Sequence, residues 1–244
     1  MSAPMKTILP REKTPPVRDP ALARVLLYGA SKIGKSTWAS HAPGAVFLAC
    51  ESGLNQLEVA RCDLATWEDL LAACRELAAG GHGYTTIVID TVDEMWRLAE
   101  RSILQKYKVD HPSDLSWGKG YALVANEFHR VLLKLATLPY GLILISHAIE
   151  REVETRSGTH TKVYPTIPER PREMIMAFVD IILFAETVER VDPQTGARTV
   201  SRVVRSKPSL EYEAGDRTGR IPETLELDYN AFARAYATAI AGKE

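Results

Sequence analysis

The sequence predicts an α/β domain with a central, mostly parallel β-sheet flanked by helices and a β-hairpin near the C-terminus. Short apolar segments alternate with helical patterns, an order typical of parallel strands joined by crossover helices. A glycine-rich loop follows the first apolar segment, and turn-forming residues at 192–196 separate two extended segments. The 244 residues suffice for one large core domain, expected at residues 21–244 behind a flexible arm, residues 1–20.

Hydrophobic periodicity places the individual elements along the chain. Predicted strands cover residues 25–28, 45–50, 85–90, 142–145 and 179–184, and the hairpin pairs residues 187–191 with 198–204. Helices are predicted at 36–40, from a capping-box-like start at Thr66 to Gly80, after Asp90, and from near Asp228. A further helix is predicted from the apolar face that Tyr121, Val124, Phe128, Val131, Leu132 and Leu135 share.

Composition and charge give expectations about nucleic-acid binding, membrane insertion and cellular compartment. The net charge is −1, so any contact with nucleic acid must come from a local patch. No apolar run reaches the length of a membrane span, so we expect no membrane partner. The three cysteines Cys50, Cys62 and Cys74 lack metal-ligand spacing, which favours a reducing, cytoplasmic location.

The glycine-rich loop matches the pattern G-x-x-x-x-G-K-[ST] at every fixed position. The loop and the residue after it are Gly29, Ala30, Ser31, Lys32, Ile33, Gly34, Lys35, Ser36 and Thr37. In this pattern the backbone N–H groups surround the phosphates, the lysine reaches the β- and γ-phosphates, and the hydroxyl binds Mg²⁺. The loop also lies between a predicted strand and a predicted helix, as the motif requires. It therefore predicts binding of ATP and Mg²⁺.

Asp90 is the second candidate metal ligand, beside Ser36. It follows an apolar run at the carboxyl end of a predicted strand, where ligands bind in open α/β sheets. A carboxylate in this place is the Walker B arrangement, which holds Mg²⁺ directly or through water. The alternative is that Asp90 only caps the helix beginning at Thr91.

Hydrolysis needs a group that positions or deprotonates water, and the best candidate is Glu51. Many P-loop ATPases carry a glutamate directly after the Walker B aspartate, but this chain has Thr91 there. Asp93 and Glu94 lie nearby, in the first turn of a helix, where acidic residues are common for dipole reasons. Glu51 ends the second strand and should share an edge with the phosphate loop, unless it is only a solvated acid.

Ser146 and His147 end the next central strand, where a polar pair can contact the γ-phosphate. The alternative for His147 is a purely structural histidine. The polar stretch from residue 150 to residue 172 is long for a simple connection. We consider two interpretations, a solvated hairpin and a mobile DNA-binding loop in which bases stack on an aromatic ring. The DNA-binding candidates are Arg151, Arg156, Lys162, Tyr164, Arg170 and Arg172.

Cations also cluster late in the chain, at Arg202, Arg205, Lys207, Arg217 and Arg220. One or more of them is a candidate for a finger that contacts the γ-phosphate bound by a neighbouring subunit. The alternative is that these charges keep a strand edge soluble.

The order of these motifs resembles the RecA-like ATPase core over about residues 22–225. Residues 29–37, 46–51, 87–91 and 144–147 carry the resemblance, and residues 117–121 and 215–219 resemble a phage-type branch of single-strand annealing proteins and minimal recombinases. The resemblance implies that Glu51 is the catalytic glutamate and that His147 occupies the place of a residue coupling the γ-phosphate to DNA. It also implies that Arg205 and Lys207 act in trans.

Three functions remain open at this point. The first is an Mg²⁺-dependent ATPase acting on single-stranded DNA in phage-type recombination or strand annealing. The second is a ring-forming replicative helicase or its loader, and the third is an ATP-dependent switch that binds a protein without DNA. The expected partners are ATP, single-stranded DNA, further copies of the chain in a ring or filament, and a single-strand DNA-binding protein. The expected location is the cytoplasm of a bacterial or phage-infected cell.

Overall fold

The computed structural model describes residues 12–155, 158–191 and 196–242. The strands are β1 (Arg24–Gly29), β2 (Ala45–Ala49), β3 (Ala60–Asp63), β4 (Thr86–Asp90), β5 (Gly141–Thr155), β6 (Gly158–Pro165), β7 (Ile181–Val191), β8 (Arg198–Arg205), β9 (Gly215–Asp216) and β10 (Thr224–Glu226). The α-helices are α1 (Lys35–Ser40), α2 (Trp67–Ala79), α3 (Val92–Tyr107), α4 (Lys119–Ala136), α5 (Glu169–Phe178) and α6 (Tyr229–Ala241). Short 3₁₀ helices lie at Pro20–Leu22, Pro112–Asp114 and Ser116–Gly118.

The predicted fold class is confirmed, because the central sheet is mostly parallel and carries helices on both faces. Its strand order is β10-β8-β7-β1-β5-β4-β2-β3. The strands from β7 to β3 in this order pair in parallel, whereas β8 and β10 add an antiparallel edge. The pairing of β7 with β8 is the predicted C-terminal hairpin. Its turn, residues 192–195, lies outside the described residues.

Two apolar cores cover the faces of this sheet, because successive strand residues point to opposite sides. One face packs Leu26 of β1 with α2, α3, α4 and α5, and it contains Trp67 and Phe128. The other face packs Leu27 with α1 and α6, whose Trp38 and Phe232 are almost fully buried. Two-sided burial fixes the strand register and therefore the positions of the residues that follow each strand.

Two helices begin at the caps that the sequence predicts. Thr66 accepts a hydrogen bond from the Asp69 backbone N–H, and the Asp69 carboxylate accepts one from the Thr66 N–H. Asp228 caps α6 by accepting from the Ala231 N–H at 2.7 Å. Within the predicted N-terminal arm, the Val17 carbonyl accepts a hydrogen bond from the Tyr236 hydroxyl on α6. Among the described residues, no helix is long and apolar enough to cross a membrane.

The polar stretch at residues 150–172 differs from the loop that we expected as one interpretation. β5 continues without a break to Thr155 and pairs with β6 in an antiparallel hairpin, after which α5 begins at Glu169. The segment is therefore a hairpin and not an irregular loop, and DNA binding by its residues stays a prediction. The structure also contains a strand that the sequence did not predict, β3, whose four residues are all exposed. The prediction that Tyr121 lies in the core is wrong, because its side chain is 47% exposed.

Candidate nucleotide-binding site

The carboxyl ends of four parallel strands bring the candidate residues to one edge of the sheet. Gly29 at the end of β1 is in register with His147 on β5, and Ala49 at the end of β2 is in register with Asp90. Glu51 follows two residues after β2. Ligands bind at this edge in open α/β sheets, so the topology assembles the site that the motifs predict.

The lysine of the phosphate loop is hydrogen-bonded to the backbone of the same loop. Lys35 is 5% exposed, and its ammonium donates hydrogen bonds to the carbonyls of Gly29 at 2.9 Å and Ala30 at 2.8 Å. Burial lowers the pKa of Lys35, while the nearby carboxylates favour its charged form. Lys32 and Gly34 have φ of 63° and 115°, and these two left-handed residues give the loop its tight curvature.

Ser36 and Asp90 form the pair of oxygen groups predicted to hold a metal ion. The Ser36 hydroxyl donates to Asp90 Oδ2 at 2.7 Å. Burial raises the pKa of Asp90 and the charge of Glu51 adds to this, while the hydrogen bond from Ser36 and the charge of Lys35 oppose it. A hydroxyl beside a buried carboxylate suits Mg²⁺, which prefers oxygen ligands and would reverse the raised pKa. The residues present therefore fit the ion.

Glu51 and His147 lie within one connected set of side chains. His147 Nε2 is 3.4 Å from Glu51 Oε1, and its Nδ1 is 3.2 Å from the Ser31 hydroxyl of the phosphate loop. The Thr91 hydroxyl donates to the other Glu51 oxygen at 3.3 Å. The histidine therefore links the phosphate loop to the candidate base, and both oxygens of Glu51 have a partner.

These groups surround one cleft with a volume of about 720 Å³, which is within the usual size range of ligand pockets. The predicted residues that line it are Ser31, Lys32, Gly34, Lys35, Ser36, Thr37, Glu51, Asp90 and His147. Gly29 does not line the cleft. The loop residues Ala30 and Ile33 line a different cavity, of about 300 Å³, beside the β5–β6 hairpin. Most of the phosphate loop therefore faces the space that a nucleotide would occupy.

The two cations expected to act in trans are engaged within their own chain. Arg205 contacts Glu186 and donates to the Thr224 hydroxyl at 2.6 Å. Lys207 donates at 2.7 Å to Asp216, whose side chain is fully buried. Neither cation lines the cleft.

The predicted DNA-binding residues are divided between the hairpin and α5. Arg151 and Arg170 are exposed, whereas Arg172 is buried, with its guanidinium 4.6 Å from the centre of the Tyr164 ring. Lys162 lies on the same ring at 5.5 Å and pairs with Glu213 at 2.8 Å. The expected stacking platform, Tyr164, is thus flanked by cations of its own chain. Arg156 lies outside the described residues.

Sequence reasoning missed four contacts that shape the site. Arg202 on β8 donates to the Ile33 carbonyl of the phosphate loop at 3.0 Å. Asp93 is buried and accepts from the Ser146 hydroxyl and from the His147 backbone N–H, so it orients the strand end rather than lining the cleft. Thr91 contacts Glu51. The spacing of Thr91 after Asp90 was visible in the sequence, but the other contacts join segments far apart in the chain.

Comparison with known proteins adds a family and a relative. The family model of the AAA domain matches residues 21–218. The SPbeta prophage-derived uncharacterized protein YorG of Bacillus subtilis (strain 168) is 26% identical over 166 residues, which are 66% of this chain and 49% of that protein. The chain therefore spans about half the length of the curated relative it matches.

Proposed function

This chain belongs to the AAA-domain family of P-loop ATPases, and we propose that it hydrolyses ATP with Mg²⁺ while acting on single-stranded DNA in phage-type recombination or strand annealing. The observation that carries the proposal is the link from Ser31 through His147 to Glu51 across the cleft. It connects the phosphate loop, the candidate base and the strand that continues into an exposed hairpin. The prophage origin of the relative supports the phage context.

In the proposed mechanism, the phosphate loop binds the triphosphate and Lys35 exchanges its two carbonyl partners for phosphate oxygens. The exchange is favourable because a charge-assisted bond to an anion is stronger than a bond to a neutral carbonyl. Ser36 and Asp90 would hold Mg²⁺, which supplies neutralisation of phosphate charge when it is bound. Arg202 would stabilise the loop through its hydrogen bond to the Ile33 carbonyl.

Glu51 is the proposed general base. It orients a water molecule for in-line attack on the γ-phosphorus and accepts the proton of that water, while the bond from the γ-phosphorus to the bridging oxygen breaks and ADP leaves. His147 donates to the carboxylate when its proton lies on Nε2, while Nδ1 accepts from Ser31; we assign this tautomer from the contacts. A γ-phosphate that draws Ser31 or His147 to itself would release one oxygen of Glu51 for the water.

The proposed contact with DNA uses the strand that carries His147. Residues His147 and Arg151 are four positions apart on β5, so their side chains point to the same face of the strand. Arg151 is exposed, and Lys162 lies opposite it in the hairpin register. A shift of His147 on nucleotide binding would therefore move the base of the hairpin that presents these cations.

We further propose that the protein acts as a ring or filament of identical subunits, as the motif order suggests. Arg205 remains the candidate trans cation, since it would exchange two partly exposed partners, Glu186 and the Thr224 hydroxyl, for a phosphate. For Lys207 we propose a structural role, because removing it would leave the buried Asp216 carboxylate without its partner.

The experiment is the salt dependence of binding to a fluorescently labelled oligonucleotide, measured by anisotropy with and without ATP. We expect binding that weakens linearly with log salt, since each phosphate contact releases counterions. Arg151→Ala should lower the slope by about 1 and weaken binding for all sequences. The matched control is Arg234→Ala, which removes an exposed arginine from α6, a helix that is not part of the β5–β6 hairpin.

Absence of binding at low salt would refute the DNA proposal and favour the switch that binds a protein. If binding is found, strand-annealing and unwinding assays then separate an annealing protein from a helicase or loader. Turnover of ATP without any oligonucleotide would still support the ATPase proposal by itself.

A further inference from the structure

The connection between α3 and α4 presents a tryptophan that is completely exposed. Trp117 is 101% exposed, whereas the other three tryptophans, Trp38, Trp67 and Trp96, are 2%, 2% and 8% exposed. Tryptophan has a large apolar surface and is highly buried on average. A ring left entirely in water is therefore expected to have a partner outside the chain.

The backbone at this position is also strained. Trp117 has φ 59° and ψ 34°, the left-handed conformation, which costs free energy for any residue with a Cβ atom. Among the described residues, its side chain makes no hydrogen bond, ion pair or ring contact that offsets this cost. A strained residue without a structural benefit points to a functional constraint.

The segment that carries the ring is itself firmly packed. Gly120 is buried, and a Cβ atom there would lie 2.1 Å from the Pro112 carbonyl oxygen, so the start of α4 lies directly on the preceding 3₁₀ helix. The His111 backbone N–H donates to Asp114 at 2.8 Å within that turn. The exposed ring therefore belongs to a segment whose backbone is tightly packed.

The helix geometry places this ring at the same edge of the sheet as the phosphate loop. The end of α4 lies at the opposite edge, because the Ala136 carbonyl accepts from Arg24 at the start of β1. In the middle of α4, Glu127 accepts from Trp67, which begins α2 directly beyond the carboxyl end of β3. The first residues of α4 therefore extend beyond the carboxyl edge of the sheet.

In the sequence from Trp117 to Tyr121, exposed aromatic residues alternate with an exposed basic residue. Tyr121 is 47% exposed, and its ring meets that of His111 edge to face at 6.0 Å. Lys119 lies between Trp117 and Tyr121 in the sequence and is exposed, and Lys106 and Lys108 at the end of α3 are also exposed. None of these three lysines has an ion pair with a described residue. Lys106 does lie over the Tyr107 ring, 6.0 Å from its centre. Exposed aromatics beside lysines without ion pairs are the features on which bases stack and phosphates bind.

We infer that Trp117, Lys119 and Tyr121 form a stacking platform for the bases of single-stranded DNA. The inference rests on the proposed function and assigns its binding site to a segment other than the β5–β6 hairpin. The platform favours nucleic acid over an apolar protein partner because the exposed residues between and beside Trp117 and Tyr121, such as Ser116 and Lys119, are polar or charged.

The experiment uses the intrinsic fluorescence of the full chain. Because the other three tryptophans are buried, quenching by added oligothymidylate reports on Trp117. We expect quenching that saturates in parallel with the anisotropy of a labelled oligonucleotide. Trp117→Gly removes the ring and relieves the backbone strain, so this variant should unfold at a temperature no lower than that of the wild-type protein. Its DNA binding should be about 5- to 100-fold weaker.

Trp117→Phe should retain most of the affinity, since phenylalanine also stacks. Leu210→Ala is the matched control, because Leu210 is also strongly exposed (77%) but lies outside this segment; it should bind as the wild-type protein does. If the wild-type protein binds DNA but Trp117→Gly binds equally well, the platform is refuted and the proposed function stands. If the wild-type protein binds no DNA at low salt, both are refuted.

Discussion

Gly29 provides a sharp test of how the sheet positions the phosphate loop. It ends β1 in parallel register with Ala185 on β7. A Cβ atom at Gly29 would lie 2.4 Å from the Ala185 carbonyl oxygen and 3.0 Å from the Ala185 Cβ atom. Favourable contacts of carbon atoms lie near 3.5 Å, so the two strands must separate by about 1 Å to admit the methyl group. The carbonyl is held in the sheet and cannot rotate away.

Gly29→Ala is therefore expected to destabilise the fold by about 1–3 kcal/mol, the usual cost of overpacking a core. For a domain of this size, that corresponds to a fall in the unfolding temperature of about 2–12 °C. The displaced loop should bind a fluorescent ATP analogue at least about tenfold more weakly, because its N–H groups no longer converge on the phosphates. Circular dichroism on heating measures the first effect, and equilibrium titration measures the second.

The control is Gly53→Ala, in the wall of the same cleft, where a Cβ atom would meet nothing within 4 Å. This variant should stay within about 0.5 kcal/mol of the wild-type stability. The reasoning is wrong if Gly29→Ala unfolds at the same temperature, and binds the analogue with the same affinity, as Gly53→Ala.

Three further predictions concern the cleft and the buried Asp93 behind it. Glu51→Gln should retain ATP binding but lose turnover by at least about 100-fold in a phosphate-release assay, and normal turnover would exclude Glu51 as the base. Lys35→Ala should weaken nucleotide binding itself, and an unchanged dissociation constant would contradict the assigned role of the loop. Burial raises the pKa of Asp93, so its carboxyl group holds a proton more tightly in the folded chain than in the unfolded chain. The wild-type protein should thus lose free energy of unfolding, relative to Asp93→Asn, as pH rises from about 4 through the raised pKa. Urea denaturation of both proteins at a series of pH values measures this difference. A difference that does not depend on pH would contradict the prediction.

The parts of the fold that the sequence predicts well are those with strong local signals. The phosphate loop has fixed glycine and lysine positions, and the strands that precede Gly29 and Asp90 are continuous apolar runs buried on both faces. Thr66 and Asp228 carry their capping signals within three residues. Each of these features depends on neighbours in the chain, so periodicity and spacing suffice to find it.

Other features depend on partners that are distant in the chain. β3 has four exposed residues and no apolar periodicity, so only its pairing with β2 makes it a strand. β5 runs on through polar residues because β6 pairs with it, which no local pattern indicates. The contact of Arg202 with Ile33 spans 169 positions. Its charge marked it as a candidate cation, but the residue that it contacts is set by the path of the sheet.

The contacts inside the cleft are consistent with the proposed coupling of nucleotide binding to the rest of the molecule. Lys35 donates to two carbonyls of its own loop, and Glu51 contacts His147 and Thr91. Because each of these polar groups already has a partner, a triphosphate must replace contacts rather than fill a gap. Replacing the contact of Ser31 with His147 would free the His147 side chain, at the point where β5 leads into the hairpin. The same exchange that binds the γ-phosphate would therefore free the base for catalysis and shift the surface proposed to meet DNA.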